Sequence, residues 1–154
     1  APYFVSGNTY VPLGTPEDVA RYQGKMREFY GDKPKTIFCD IDGTILEHCH
    51  TISEVLTGGD ARLLDQVRQK MDQWDSQGHR IILVTARKES TRWITEEQLS
   101  MLGIAYDQLI MGVSSGPRIL INDKLDPADA DRAIAVNLQT NQGFGSISWE
   151  DHGL

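Results

Sequence analysis

The chain has 154 residues, 40% of them hydrophobic and 24% charged, with a formal net charge of -7. That length suits one globular core, and the acidic balance argues against a nucleic acid as main partner, because such binders carry a basic face. No run reaches the roughly 18 apolar residues of a membrane span, and no basic-then-apolar segment opens the chain, so no membrane partner is expected.

Two cysteines, Cys39 and Cys49, one of them in an apolar run, do not make a disulfide framework, and a reducing, cytoplasmic setting is expected. The chain opens on Ala1 rather than methionine, which is expected of a piece of a longer protein. Thr15 offers an N-cap, Pro16 a first helical position, and Glu17 and Asp18 complement the positive end of a helix dipole, so a helix is expected to run to about Tyr30 and end near Gly31. Leu13-Gly14-Thr15-Pro16-Glu17-Asp18 resembles the closing segment of sugar-phosphate nucleotidyltransferases. A well-capped packing helix is the other reading.

The most informative segment follows. Thr36-Ile37-Phe38-Cys39 reads as a buried strand, and it runs straight into Asp40-Ile41-Asp42-Gly43-Thr44. Unpaired carboxylates are costly at the end of an interior strand, so a cation, most naturally a metal ion, is expected beside them. Both carboxylates can lean toward the carboxyl edge of the sheet, where open α/β sheets bind ligands. One could attack an electrophile such as phosphorus while the other shuttles a proton. Gly43 allows a sharp turn, and Thr44 offers a hydroxyl and an amide to an anion.

Phe38-Cys39-Asp40-Ile41-Asp42-Gly43-Thr44-Ile45 resembles the first motif of the haloacid dehalogenase superfamily of phosphatases and phosphotransferases. The resemblance implies Asp40 as nucleophile, Asp42 as acid and base, and a Mg2+ ion held by Asp40, the backbone carbonyl of Asp42 and a later acidic residue.

Ile45 to Gly59 is polar and mixed, and is expected to form a flap. Within it His48, Cys49 and His50 form a cluster that could hold a soft metal. The stronger expectation is that His48 or His50 touches substrate. Asp60 is then expected to cap a helix carrying Leu63, Leu64, Val67, Met71 and Trp74 and closing at Gly78.

Arg80-Ile81-Ile82-Leu83-Val84 reads as a strand buried on both faces. Thr85 at its end resembles the superfamily's second motif, which implies a hydroxyl on a phosphoryl oxygen; satisfaction by local backbone is the alternative. Ala86 and Arg87 are candidate substrate contacts, with Arg87 aimed either at the substrate anion or at an acidic partner. Ser90 or Thr91 then caps a helix with Trp93, Ile94, Leu99 and Leu102, ending at Gly103, and Tyr106 to Ile110 holds a short strand.

Ser114 to Pro117 turns the chain into Arg118-Ile119-Leu120-Ile121-Asn122-Asp123, expected as another buried strand. Its end resembles the superfamily's acidic fourth motif, which implies Asp123 as a Mg2+ ligand. The chain departs from the pattern at the third motif, for no lysine lies between Lys88 and Lys124. Arg118 or Lys124 is the candidate cation there, and a guanidinium and an ammonium are not equivalent in that role. Ala133 to Asn137 is expected as a further strand, and the glycine-rich tail from Gln142 as loop.

The expected architecture is α/β, a three-layer, doubly wound, mostly parallel sheet without a separate cap domain, with residues 1–31 as leader and 32–154 as catalytic domain. The flap, the leader or a second copy of the chain would have to shield the site. The expected activity is a Mg2+-dependent phosphatase acting on a small phosphorylated metabolite, a sugar phosphate among the candidates. An inactive binding module beside a nucleotidyltransferase and a phosphotransferase are the rival readings.

Overall fold

The computed structural model describes residues 3–6, 9–12, 15–17, 33–48, 51–57 and 61–154. The chain divides into two compact units, one of Pro34–Pro117 with Asn137–Ile147, the other of Ala1–Lys33, Arg118–Val136 and Ser148–Leu154.

The first unit is α/β. Strands β3 (Thr36–Asp40), β4 (Arg80–Val84) and β5 (Gln108–Ile110) form a parallel sheet in the order β3-β4-β5. Asp40 stands opposite Val84, and Val84 opposite Ile110, so the chain leaves all three strands at the same edge. Asp107 extends the last strand by imitation. Its carboxylate accepts from the amide of Ile81 at 2.7 Å while its own amide donates to the Ile81 carbonyl at 2.8 Å.

Helices α2 (Val67–Ser76) and α3 (Arg92–Met101) follow the expected apolar spacing. They bury Val67, Met71 and Trp74 on one and Ile94 and Leu99 on the other, against a core that includes Ile81, Leu83 and Ile41. Both stop where the sequence placed glycines, at Gly78 and Gly103. Helix α2 starts at Val67, later than Asp60 would have capped it; Leu63 is instead bridged antiparallel to Leu46. Asp60 lies outside the described residues.

The expected flap is only partly a flap. Ile45, Leu46 and Val55 are buried, and Ile52–Leu56 forms a short helix, α1, started by a capping box in which Thr51 and Glu54 satisfy each other's amides. Apolar area taken from water outweighs the polarity of the rest of the segment.

The glycine-rich tail is structural rather than loose. Phe144 is buried against Trp74, ring centroids 5.4 Å apart, and its amide donates to the Asp65 carbonyl at 2.9 Å. Gly143 makes this approach possible, because a Cβ there would lie 2.6 Å from the backbone oxygen of Asp65.

In the second unit, β1 (Tyr3–Ser6) and β2 (Thr9–Pro12) pair antiparallel as a hairpin that the sequence reading did not anticipate. Pro16 and Glu17 are helical; the rest of the expected helix to Tyr30, and Gly31, lie outside the described residues. Two expected strands do not form. Arg118 to Asp123 and Ala133 to Asn137 are irregular, and Ile119 and Ile121 are 83% and 92% exposed. An apolar run becomes a strand only where neighbours supply a ladder and cover its faces, and side chains this exposed have no such cover. Among the described residues no helix is long and apolar enough to cross a membrane.

His79 follows α2, and its Nδ1 accepts the amide of Lys35 at 3.0 Å, which requires that nitrogen to be unprotonated. Burial, aided by the Lys35 charge, holds its pKa below the usual histidine value. The unfolded chain therefore binds this proton at a pH where the folded chain does not, and stability falls as pH drops below about 6.5. Urea titrations at stepped pH should show that slope in the native chain and a shallower one in His79→Gln; equal slopes would exclude His79 as its source. Replacing Phe144 by Ala should cost about 3–5 kcal/mol in the same assay, while a loss under about 1 kcal/mol would mean the tail carries no packing load.

Candidate functional site

The site is built where β3 and β4 end. Past Asp40 the backbone wraps on the carbonyl of Ile41, which accepts from the amides of Thr44, Ile45 and Leu46 at 3.2, 3.0 and 3.0 Å. The amide of Gly43 donates to the Leu46 carbonyl at 2.7 Å. Ile41, Ile45 and Leu46 are buried, so an apolar anchor fixes the turn that carries the two carboxylates. Gly43 sits at φ +85°, the left-handed region that glycine adopts without penalty. The amides of Gly43 and Thr44 are thus spent inside the turn, and what Thr44 presents is its hydroxyl, 3.4 Å from Asp40 Oδ2.

Asp42 is held differently. Arg87, the second residue past Thr85, grips its carboxylate from Nε at 3.2 Å to Oδ1 and 2.9 Å to Oδ2, and from Nη2 at 2.7 Å to Oδ1. The remaining guanidinium nitrogen, Nη1, donates to Thr95 Oγ1 at 3.1 Å and Gln98 Oε1 at 2.8 Å, both on α3. The side chain of Arg87 is 5% exposed and that of Asp42 17%. Of the two expectations for Arg87, the acidic partner is the one realised, and each of its three guanidinium nitrogens has a protein partner.

Thr85 is buried and its hydroxyl oxygen accepts the amide of Arg87 at 3.1 Å. Its backbone is stitched to the segment after β5, with the Thr85 amide on the Ile110 carbonyl at 2.9 Å and the Val113 amide on the Thr85 carbonyl at 3.3 Å. Ala86 between them is exposed.

Beside Gly43, residues of the tail close the turn. Asn141, itself at φ 64°, donates its amide to the Gly43 carbonyl at 2.9 Å, and its Oδ1 accepts the amide of His48 at 2.8 Å. His48 therefore stands next to the turn, while Cys49 and His50 lie outside the described residues. Cys39 is a free, buried thiol whose pKa is pushed up to about 12 by burial and then by the Asp40 charge, which keeps it protonated and inert at neutral pH.

The structure thus brings Asp40, Asp42, Gly43, Thr44, His48, Thr85, Ala86 and Arg87 into one unit. Arg118, Asp123 and Lys124 belong to the other unit, where Arg132 Nη1 reaches Asp123 Oδ1 at 2.6 Å and Lys124 Nζ reaches Asp131 Oδ1 at 3.1 Å. Among the described residues no group of three or more His, Cys, Asp or Glu forms a metal-holding cluster. The donors at the turn are nonetheless of the right kind for a hard divalent ion. Asp40 offers a carboxylate, and Asp42, whose carboxylate is held in place by Arg87, offers a backbone carbonyl. Mg2+ accepts such a sparse oxygen set because it keeps several waters.

Thr95, Gln98 and Asn141 escaped sequence reasoning. One signal was available for Thr95: a polar residue between the apolar positions Ile94 and Leu99 of a core-facing helix needs a partner inside.

No protein-family model and no curated protein matches the chain. Among solved structures, a chain of the Pnkp1/Rnl/Hen1 RNA repair complex is similar at 29% identity with a TM-score of 0.46, over 55% of this chain and 28% of that one. A target protein from Vibrio cholerae is similar at 20% identity and a TM-score of 0.44, over 61% of this chain and 85% of that one. A Vibrio cholerae protein described as a 3-deoxy-D-manno-octulosonate 8-phosphate phosphatase is similar at 15% identity and a TM-score of 0.36, over 73% of this chain and 53% of that one. Each likeness is partial, and this chain spans less than a third of the chain it matches in the repair complex.

Asp42→Ala leaves a buried guanidinium without its counter-charge and should lower unfolding free energy by about 3–5 kcal/mol. Chemical denaturation monitored by tryptophan fluorescence measures it, and a loss under about 1 kcal/mol would mean that Arg87 is solvated rather than buried.

Proposed function

We propose that the chain is a Mg2+-dependent phosphomonoester hydrolase of the haloacid dehalogenase type. The observation that carries this reading is the placement of two carboxylates, Asp40 and Asp42, where β3 leaves the sheet, with the Thr44 hydroxyl 3.4 Å from Asp40 and Asp42 held in place by a buried arginine. One carboxylate at such a turn can serve as nucleophile while its fixed neighbour carries a proton.

In the proposed reaction an Asp40 oxygen bonds to phosphorus as the bond to the leaving oxygen breaks, and Asp42 gives that oxygen a proton. Water then attacks the aspartyl phosphate, Asp42 takes its proton, and the bond from Asp40 to phosphorus breaks, freeing phosphate, restoring the Asp40 carboxylate and returning Asp42 to the protonated form in which it began the cycle. The bound ion supplies neutralisation of the charge on phosphate and nucleophile. Thr85 would hold a phosphoryl oxygen through its hydroxyl hydrogen, its oxygen already accepting from Arg87. Asp123 as a metal ligand, and Arg118 or Lys124 as the cation of the missing third motif, stay proposals that rest on the sequence resemblance. The proposed substrate is a small phosphorylated metabolite, with a sugar phosphate suggested by the leader.

A non-catalytic binding module is the second reading, favoured by the ion pair that Lys124 makes with Asp131 in its own unit. Release of phosphate from p-nitrophenyl phosphate separates the two. We expect turnover with Mg2+, its loss on chelation and recovery on adding Mg2+ back, and a fall of about 10^4-fold or more in Asp40→Asn. Turnover that survives both treatments, or none in the native chain, would defeat the reading.

A further inference from the structure

Arg87 is a buried cation at the edge of a site proposed to bind a dianion, yet each of its three guanidinium nitrogens already donates to protein. Nε and Nη2 take Asp42, and Nη1 takes Thr95 and Gln98. Thr95 in turn donates its hydroxyl to the Thr91 carbonyl at 2.9 Å, so the chain of contacts ends on the backbone at the start of α3. The grip on Asp42 is also asymmetric. Oδ1 accepts two hydrogen bonds, at 2.7 and 3.2 Å, and Oδ2 accepts one, at 2.9 Å. A carboxylate oxygen has two lone pairs, so Oδ1 is filled while Oδ2 keeps one direction open.

From this we infer that Arg87 is a positioning residue for the proton-transfer step: anchored by Thr95 and Gln98, it fixes the Asp42 carboxylate and leaves Oδ2 as the oxygen that carries the proton. The inference rests on the phosphatase reading and deepens it. A guanidinium suits the task because its planar fork sets two angles at once, which an ammonium cannot. The residue does not touch the substrate phosphate.

The test compares two leaving groups. Departure of p-nitrophenolate needs little protonation, whereas the secondary alkoxide of glycerol 2-phosphate needs a proton as the bond breaks, and kcat/KM reports that first step. Arg87→Lys is expected to lower kcat/KM for glycerol 2-phosphate by about 10^2-fold, the usual scale of general acid catalysis. For p-nitrophenyl phosphate the loss should stay within a few-fold, with inhibition by inorganic phosphate unchanged. Gln98→Met, a milder change at a half-buried position of α3, should give a smaller loss with the same selectivity, and it decides the matter should Arg87→Lys fail to fold. Equal losses on both substrates, with weakened phosphate inhibition, would overturn the assignment in favour of direct phosphate contact and leave the phosphatase reading standing. A native chain inactive on both substrates removes that reading and the assignment with it.

Discussion

One ion pair organises the described site: Asp42 with Arg87, forty-five residues apart in the chain and almost shielded from water. Taking both charges out of water costs several kcal/mol per ion, and their attraction repays this only when geometry is good and the remaining donors are satisfied. Those conditions hold. The contact is bidentate, and the outward nitrogen is met by Thr95 and Gln98. Such a pair adds little net stability relative to a well-packed apolar pair, so its value lies in what it fixes. It ties the turn after β3 to the segment after β4 and to α3, so this turn moves only if all three do.

The same turn is fixed from the opposite side by apolar packing and by the tail. Ile41, Ile45 and Leu46 sink into the core, which leaves the intervening Asp42 little choice of direction. Asn141 then takes the Gly43 carbonyl and the His48 amide, while Phe144, three residues on, is locked against Trp74. The buried ring gives Asn141 its place, and the hydrogen bonds of Asn141 give the turn its shape. Stability and site geometry are therefore coupled through a segment that carries no recognisable motif.

Legibility in the sequence followed this division. The strands at Thr36–Asp40 and Arg80–Val84 and the helices around Met71 and Leu99 were readable because their periodicity and end signals agree with the environment they occupy. Arg118 to Asp123 read equally well as a strand and is not one, because a pattern records what a segment could bury and not whether a partner lies beside it. The tail failed in the other direction. Its glycines look like punctuation, yet Gly143 is there for a close approach to Asp65, and the one aromatic beside it fills the core. For Arg87 the sequence supplied the residue but not its target, since the choice between an anion and a carboxylate depends on a fold-dependent contact with Asp42.

That choice reaches into the chemistry. On the proposed reading, Arg87 has its charge paired with Asp42 and the amides of Gly43 and Thr44 donate to the turn's own carbonyls, so little of this positive potential is directed at a phosphate. A dianion approaching Asp40 would meet a like charge at close range, and in a medium less polar than water that repulsion is a barrier of several kcal/mol. On the proposed reading a divalent ion bound at oxygen donors would supply the compensating positive charge. The ion and the arginine would then divide two tasks between them, charge on the nucleophile's side and geometry on the acid's.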